Sequence, residues 1–446
     1  MHLLIDPPLS DWPTPHARRP IWTGHQVSLF HPGIAAKYLA AAAVSARAGV
    51  PMMQVAVDQD VYDPLSLAVP VRDGDRLGVV KVSLGPVLAE VPVGMQPPVR
   101  SSAVAKALGD WPGGAVVVPD RQRVVAAFAE AEKEAETLGQ QMDGVLLRLL
   151  NARLAGAYVP SVMASGLLAR EDALLDTLLN DAAACARAYN QAVDASPSAG
   201  VARLSVEPDR IEVPVWALSW KGPRRRVYVD VADSQPIWIT EDGEPITPAA
   251  GNSPASNGVT LAPRALLMTA LLRRPARCSL FVHGTGGGGY DRITERWWGT
   301  WRQENLAPMA VVTADVNLDF DAPVNDTAAL RRAVWKAHHL PHNLDRELGL
   351  DDSPAREKRE LLKHMDDDRD KKRRRAAFEL IHRINADLAA AYPQVLAAAR
   401  HELSAARHGV ENAKIARRRD WSFLLYPPTK LETLRGALAY PKVSTH

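Results

Sequence analysis

Cysteine is almost absent. Two residues, Cys185 and Cys278, in a chain of 446 can build neither a disulfide framework nor a cysteine metal cluster. Long apolar runs are missing too. Nothing approaches the ~20 residues of a membrane span, and the apolar stretch 40–44 lies inside an amphipathic helical pattern. Residues 1–10 hold prolines and an aspartate but no basic region or cleavage site, so they do not read as a signal peptide. The expectation is a cytoplasmic protein without a membrane partner. Charge of one sign is scarce as well. A net charge of +2 supplies no concentrated basic surface, which argues against nucleic acid as a partner. The basic clusters 370–375 and 417–419 adjoin aspartates and read as solvated helix faces. No internal repeat is visible, and no Gly-Lys-Ser/Thr marks a P-loop.

What is present is ordinary globular composition, 47% hydrophobic, in a chain long enough for two or three domains. Pattern and composition divide it into six segments. Residues 1–120 read as the first part of an α/β core and 121–195 as helical, with helices over 120–138, 145–154 and 171–192. Residues 196–256 read as a small antiparallel element, with strands over 210–218, 226–231 and 236–240 and a loop over 249–257. Residues 257–325 read as the second part of the core, and 326–420 as a charged helical arm. Residues 421–446 are apolar enough to pack back on the core.

The most informative stretch is 19–60. An apolar run at 20–23 reads as a buried strand, followed by a turn holding Gly24, His25, Gln26, His31 and Gly33. Residues 34–48 form an Ala-rich helix with Gly49 at its C-cap, and 50–57 a second strand ending in Asp58-Gln59-Asp60. Strand, turn, helix and strand make one βαβ unit, whose strand ends open on the edge where α/β sheets bind ligands. The helix start there offers free N–H groups and a positive dipole end. Asp58 and Asp60, so close together, suit a cation, an ammonium group or a proton transfer.

A second stretch repeats the theme. A helix over 261–272 and a strand over 278–283 lead to His283, Gly284 and the run Gly286-Gly287-Gly288-Gly289-Tyr290, then a helix, and a strand over 309–314 ending at Asp315. Four glycines in a row call for unusual dihedrals or close approach to a ligand, and their N–H groups make an anion-binding nest. Gly284, Gly286 and Gly289 also satisfy G-x-G-x-x-G, with Asp315 as the acidic residue of a dinucleotide site.

In the arm, helices over 357–387 and 395–418 carry a narrow stripe that includes Phe378, Ile381, Ile384 and Leu388, suited to an antiparallel coiled coil or a homodimer interface. His338, His339 and His342 precede it without an acidic or thiol partner at ligand spacing, so no metal site is read there.

The stretch Thr23-Gly24-His25-Gln26-Val27-Ser28-Leu29-Phe30 resembles the first turn, Thr-Gly-Gln-Gln-x-Gly-Leu-Phe, of the bacillithiol-synthesis cysteine-adding enzyme family. Val57-Asp58-Gln59-Asp60 is similar to that family's Glu-Asp-His-Asp strand end, and Leu261-Ala262-Pro263-Arg264 with 286–290 to its later helix and glycine turn. His25, Val57 and Gln59 depart from the family's letters. More distantly, His31-Pro32-Gly33-Ile34 resembles the His-x-Gly-His signature of nucleotidyltransferases, with Ile34 in the last place. The resemblance implies a Rossmann-like, mostly parallel α/β core with a long coiled-coil arm. It implies a ligase joining an amino acid, cysteine among the candidates, to a small amine. Asp58, Asp60 or His25 would take the amine's proton. Arg264 and the glycine loop would hold a phosphate or carboxylate. ATP or ADP stands ahead of NAD as cofactor. Two alternatives stay open: an NAD- or nucleotide-dependent enzyme built on Gly284–Gly289, and a non-catalytic dimer that binds a nucleotide or metabolite.

Overall fold

The computed structural model describes residues 1–12, 19–154, 156–232, 235–247, 258–367 and 369–439. The loop expected over 249–257 lies outside them. The first strands are β1 (His2–Asp6), β2 (Ile21–Gln26) and β3 (Met52–Val57), with helix α1 (Pro32–Ala48) between the last two. A hairpin of β4 (Ser66–Asp73) and β5 (Arg76–Ser83) follows. Next come helices α2 (Ser101–Gly109), α3 (Arg121–Glu134) and α4 (Leu138–Leu154), the short strand β6 (Val162–Met163), and helices α5 (Asp172–Asn180) and α6 (Ala182–Asp194). Strands β7 (Arg210–Leu218), β8 (Arg225–Asp230), β9 (Ile237–Thr240) and β10 (Thr260–Pro263) precede helix α7 (Ala265–Leu272). Then β11 (Leu280–His283), α8 (Thr285–Arg302) and β12 (Met309–Asp315) form another strand–helix–strand unit. The remainder is helical: α9 (Thr327–Glu347), α10 (Ser353–Asp367), α11 (Lys371–Ala391), α12 (Pro393–Ala416) and α13 (Pro428–Ala439).

Contacts divide the chain into two units. Residues 1–69, 80–318 and 419–446 form the first, and 70–79 with 319–418 the second. The fold is mixed α/β. The main sheet of the first unit has six strands in the order β1-β12-β11-β2-β3-β6, all parallel except the antiparallel edge strand β1. A second sheet, β10-β7-β8-β9, is antiparallel, and its register slips between Val213 and Trp216. Pro214 lies in that slip and has no N–H to give the ladder.

Side-chain alternation along the strands sorts the core. Trp22, Val55 and Phe281 pack with Met268 and Leu272 of α7. The alanines of α1, among them Ala35, Ala36, Ala40 and Ala41, are buried, and the helix lies against β12, β2 and β11. Trp297 and Trp298 of α8 join α6, α7 and the second sheet in another cluster. The tail packs within the first unit: the Phe423 N–H donates to Phe30 O at 2.8 Å, the Tyr426 hydroxyl to Val316 O at 2.7 Å, and α13 rests on α1 and α4.

Several sequence expectations need correction. Gly24, His25 and Gln26 belong to β2 and not to a turn, because parallel pairing with β3 continues to Gln26↔Val57. The helix expected over 261–272 begins as strand β10, where Leu261 pairs with Ala217; Pro263 keeps its predecessor out of helical dihedrals. The stretch 171–192 is two helices broken at Asp181, and 357–387 is divided between α10 and α11.

The second unit is built around α9, which lies within the expected helical arm but was not singled out as a helix, since Pro341 inside it reads as a breaker; its backbone leaves the helical region at Asn343. Helices α11 and α12 pack on α9, and α10 on α11. Leu340, Leu344, Ile384, Leu388 and Ala399 make a small core, beside a buried ion pair between Lys358 and Asp345 at 2.5 Å. Phe378, placed on the expected stripe, is exposed. Among the described residues no helix is long and apolar enough to cross a membrane.

Candidate functional site

Two crossovers leave the middle of the main sheet in opposite directions. From β2 the chain passes through α1 to β3 on one side, and from β11 through α8 to β12 on the other. The carboxyl ends of β2 and β11 therefore flank a topological switch point, where open α/β sheets hold ligands. A cavity of about 430 Å³ opens there. Strand β2 contributes Gly24, His25 and Gln26, α1 and its cap His31, Gly33 and Lys37, and the segment after β3 Gln59 and Asp60. The end of β11 and the start of α8 contribute His283, Gly284, Gly286, Gly287 and Tyr290. Most of the residues singled out in the sequence thus converge on one edge.

Each is held by a definable force. At Gly24 a Cβ would lie 2.2 Å from Val55 Cγ1, so only glycine lets the strands pair there. His25 donates from Nδ1 to Gln26 O at 3.0 Å and meets the Phe30 ring edge-on. Burial, helped by the Lys37 charge, pushes its pKa down to about 3, so the ring is neutral with Nε2 left as an acceptor. Gln26 donates to Asp60 Oδ2 at 3.3 Å, and Asp60 Oδ1 receives Arg224 at 2.7 Å. Arg224 in turn lies over Trp216.

The two helix starts differ. His31 caps α1, its Nδ1 accepting from Gly33 N at 3.1 Å, while its carbonyl takes the Ile34 and Ala35 N–H groups. The free N–H groups expected at α1 are therefore spent locally, and burial lowers the His31 pKa. The N-cap of α8 is Gly284, which has no side chain with which to cap it. The helix's dipole end faces the cavity through Gly284, Thr285 and Gly286.

The glycine run is the first turn of α8 and not a loop, and none of its glycines has a positive φ. Close packing explains two of them: a Cβ on Gly287 would lie 2.3 Å from His283 Nδ1, and one on Gly288 2.4 Å from Val311 Cγ2. Gly286 lines the cavity, and a Cβ there would meet nothing within 4 Å. Gly289 also meets nothing within 4 Å, and lies outside the lining. In a dinucleotide fingerprint the third glycine packs helix against strand. Here Gly289 has no such task, and Asp315 is paired with Arg419.

His283 is buried and donates from Nε2 to Asp291 Oδ2 at 2.8 Å. Asp291 is anchored by Arg273 at 2.6 Å, and Arg273 also holds Glu295. Desolvation lowers the His283 pKa despite that carboxylate, so the ring stays neutral and oriented. Burial pushes the Tyr290 hydroxyl up to about 12.

Besides Gly289 and Asp315, which are not in the lining, two more sequence candidates lie elsewhere. Asp58 turns away from Asp60 and lines a separate cavity of about 500 Å³. Its carboxylate takes the Ser165 N–H at 2.8 Å and hydroxyl at 2.6 Å, and desolvation lifts its pKa to about 6. Arg264 pairs with buried Glu212 at 2.8 Å, stacks on Trp216, and is absent from the lining. The buried cation that does line the cavity is Lys37, which the sequence reading missed. Lys37 is 2% exposed, donates to Gly24 O, and has no carboxylate partner among the described residues. Burial alone brings its pKa down to about 7. The signal was there: it is the single charged residue in 34–44. Asp291 and Arg419 were missed as well.

Among the described residues no three His, Cys, Asp or Glu side chains converge as metal ligands, the His338, His339 and His342 set included. No protein-family model and no curated protein matches the chain. The chemistry rests on the geometry: a buried lysine and an uncapped helix suited to an anion, beside neutral histidines able to accept a proton.

Proposed function

We propose that the protein is an enzyme that binds a phosphate- or carboxylate-bearing small molecule at the switch point and forms a C–N bond there. In the form the family resemblance implies, it joins an amino acid, with cysteine first, to a small amine. The observation that carries this is Lys37, a buried ammonium without a carboxylate partner beside an uncapped helix start. A buried cation costs stability unless an anion compensates it, and a bound anion is the compensation that this site lacks.

Within that reaction His283 acts as the base. An amine must lose its proton to attack, and a neutral imidazole oriented by Asp291 accepts it at Nδ1 while the carboxylate stabilises the imidazolium. Lys37 and the α8 dipole stabilise negative charge developing on the carbonyl oxygen. The α8 turn at Gly286 leaves room for a phosphate, so ATP or ADP fits with Lys37, Thr285 and Gly286 as its holders. When bound, ATP would supply activation of the carboxyl group, so that one carboxyl oxygen would leave with phosphate or AMP as the C–N bond forms and the amine's proton passes to His283. The core is proposed to be Rossmann-like, and the helices of the second unit to be the counterpart of the family's coiled coil and the site of a homodimer.

The test is calorimetry of the purified protein with ADP, ATP and NAD, followed by mass spectrometry of a mixture of protein, ATP, cysteine and glucosamine. Binding of ADP or ATP that weakens in Lys37→Met, with an amide product in the mixture, supports the proposal. Failure of every anion to bind, or binding indifferent to Lys37, would end it.

A further inference from the structure

The cavity of about 500 Å³ that Asp58 lines shares its walls with the switch-point cavity but none of its lining residues. After β3, Asp58 borders the one, and Gln59 and Asp60 the other. Helix α7 likewise gives Leu271 and Leu272 to the one, and Met268 and Thr269 to the other. The opening follows from short elements at this edge of the sheet. Strand β6 has two residues and α7 has eight, ~12 Å of helix, so the apolar face between them is left partly uncovered. Trp22, Val162, Met163, Leu167, Leu271 and Leu272 stand around it. The Trp22 ring is fixed by its indole N–H, which donates to Arg277 O at 2.9 Å. Cavities of this size, with apolar walls and a few polar groups, hold small molecules.

The polar groups divide into acceptors that are engaged and donors that are not. The Asp58 carboxylate accepts from the Ser165 N–H and hydroxyl. Glu171 is 7% exposed and lies between two guanidinium groups, Arg274 at 2.7 Å and Arg277 at 2.5 Å. Arg170, the neighbour of Glu171, lines the cavity from its exposed rim and has no hydrogen bond or ion pair to any described residue. A guanidinium holds five N–H groups and can only donate. The group that completes this rim is therefore an anionic acceptor, while the walls call for an apolar body. A sugar phosphate or a nucleotide phosphate chain would leave those walls unmatched.

We propose that this cavity is a second ligand site, for an apolar monocarboxylate whose carboxylate pairs with Arg170 and whose body lies against Trp22, Leu167 and Leu272. The site does not use Lys37 and stands whether or not the switch point binds an anion. An aryl acid and a medium-chain fatty acid share this chemistry, and one probe of each kind tells them apart.

The experiment is calorimetry with 4-phenylbutyrate and octanoate, each paired with the alcohol of the same skeleton, and with acetate as a head without a body. At least one acid should saturate one site per chain and bind ~10-fold or more tightly than its alcohol, because the alcohol forgoes the charge-assisted bonds to Arg170. The acid that binds more tightly identifies the source. Acetate should not saturate over the same range. In Arg170→Gln, a change at an exposed position, the preference for acid over alcohol should fall to within ~2-fold. In Lys37→Met the acid should bind as it does to the parent, and hydrogen exchange with the acid bound should slow over 162–171. Failure of both acids to bind, acetate binding as well as they do, or a preference that survives Arg170→Gln overturns the proposal. So does acid binding that is lost in Lys37→Met, which would place the acid at the switch point.

Discussion

The Lys37 ammonium donates to the carbonyl of Gly24, a residue whose hypothetical Cβ would lie 2.5 Å from Val55 O. One close strand pairing thus leaves a backbone acceptor at the mouth of the sheet, and the helix that follows sends Lys37, the one charged residue of its first three turns, to it. A hydrogen bond to a neutral carbonyl satisfies one N–H of the ammonium but does not neutralise the charge.

That arrangement fixes a pH dependence. Burial lowers the Lys37 pKa from 10.5 to about 7. Between those values the unfolded chain holds a proton that the folded one does not, so stability rises with pH across the window and falls as pH drops through 7. In Lys37→Met this slope should disappear. At neutral pH the variant should be as stable as the parent or on the order of 1 kcal/mol more stable. Anion binding should move the other way, since it uses the ammonium, and weaken as pH climbs above 7. Urea unfolding at several pH values and calorimetry with ADP read both. Identical slopes in parent and variant would remove Lys37 from the site.

Asp58 should behave as a structural residue and not as part of the anion site. The Asp58 carboxylate is the partner of the Ser165 N–H and hydroxyl. Asp58→Ala should therefore cost ~2–3 kcal/mol by leaving a buried N–H unmatched, with ADP binding intact. Asp58→Asn keeps an oxygen for the N–H and should cost less than ~1 kcal/mol. Because burial raises the folded pKa to about 6 from 3.8, the stability this group lends is fully present below 3.8 and lost as pH rises through 6. The Asn variant should lack that slope in thermal melts. A loss of ADP binding in Asp58→Asn with an unchanged melt would return Asp58 to the site.

How far the site was legible follows from these two residues. Gly24, His25, Gln26, His31, His283 and Gly286 stand where strands end and helices begin, and strand polarity alone brings such positions to one edge. Asp58 stands there too, but its direction is decided by Ser165, 107 residues later, which no local pattern encodes. Arg264 was misread because Glu212 and Trp216, its partners, lie on a strand of another sheet. Lys37 was passed over because a lysine in an alanine helix ordinarily marks the solvent face; α1 has almost none, being buried along most of its length. The glycine run was read as a loop because glycine is a poor helix former. Packing of Gly287 on His283 and of Gly288 on Val311 outweighs that propensity.

The second unit offers a test of its own. Lys358 and Asp345 are 3% and 1% exposed at the side chain and pair at 2.5 Å. Lys358→Met leaves a carboxylate buried and uncompensated, which should cost ~3–5 kcal/mol. Hydrogen exchange should quicken across α9 and α10. Uniform protection in the variant would show that the pair contributes little.

The proposed homodimer calls for an apolar contact, and the second unit exposes Trp335 at 62% and Phe378 at 54%. A stable interface buries ~1,200–2,000 Å². Light scattering at tens of micromolar protein, a concentration on the order of a weak dimer constant, should give twice the chain mass. Trp335→Glu and Phe378→Glu should halve it without changing the melt. A parent protein that scatters as a monomer would exclude the dimer.

The glycines of α8 separate packing from binding within one helical turn. A methyl group at 287 would collide with the His283 ring at 2.3 Å, whereas one at 286, a residue that lines the cavity, meets nothing within 4 Å. Gly287→Ala should therefore destabilise by ~1–3 kcal/mol through overpacking. It should also disturb the His283–Asp291 bond, read as a shifted imidazole resonance. Gly286→Ala should gain ~0.5–1 kcal/mol, because alanine loses less backbone entropy in a helix. Its methyl group would nevertheless hold an anion away from the α8 N–H groups, so ADP should bind at least several-fold more weakly in a more stable protein. The two effects have opposite signs in one variant, which a general loss of structure cannot mimic. A Gly286→Ala protein that binds ADP as the parent does would show that the helix start is not where the phosphate sits.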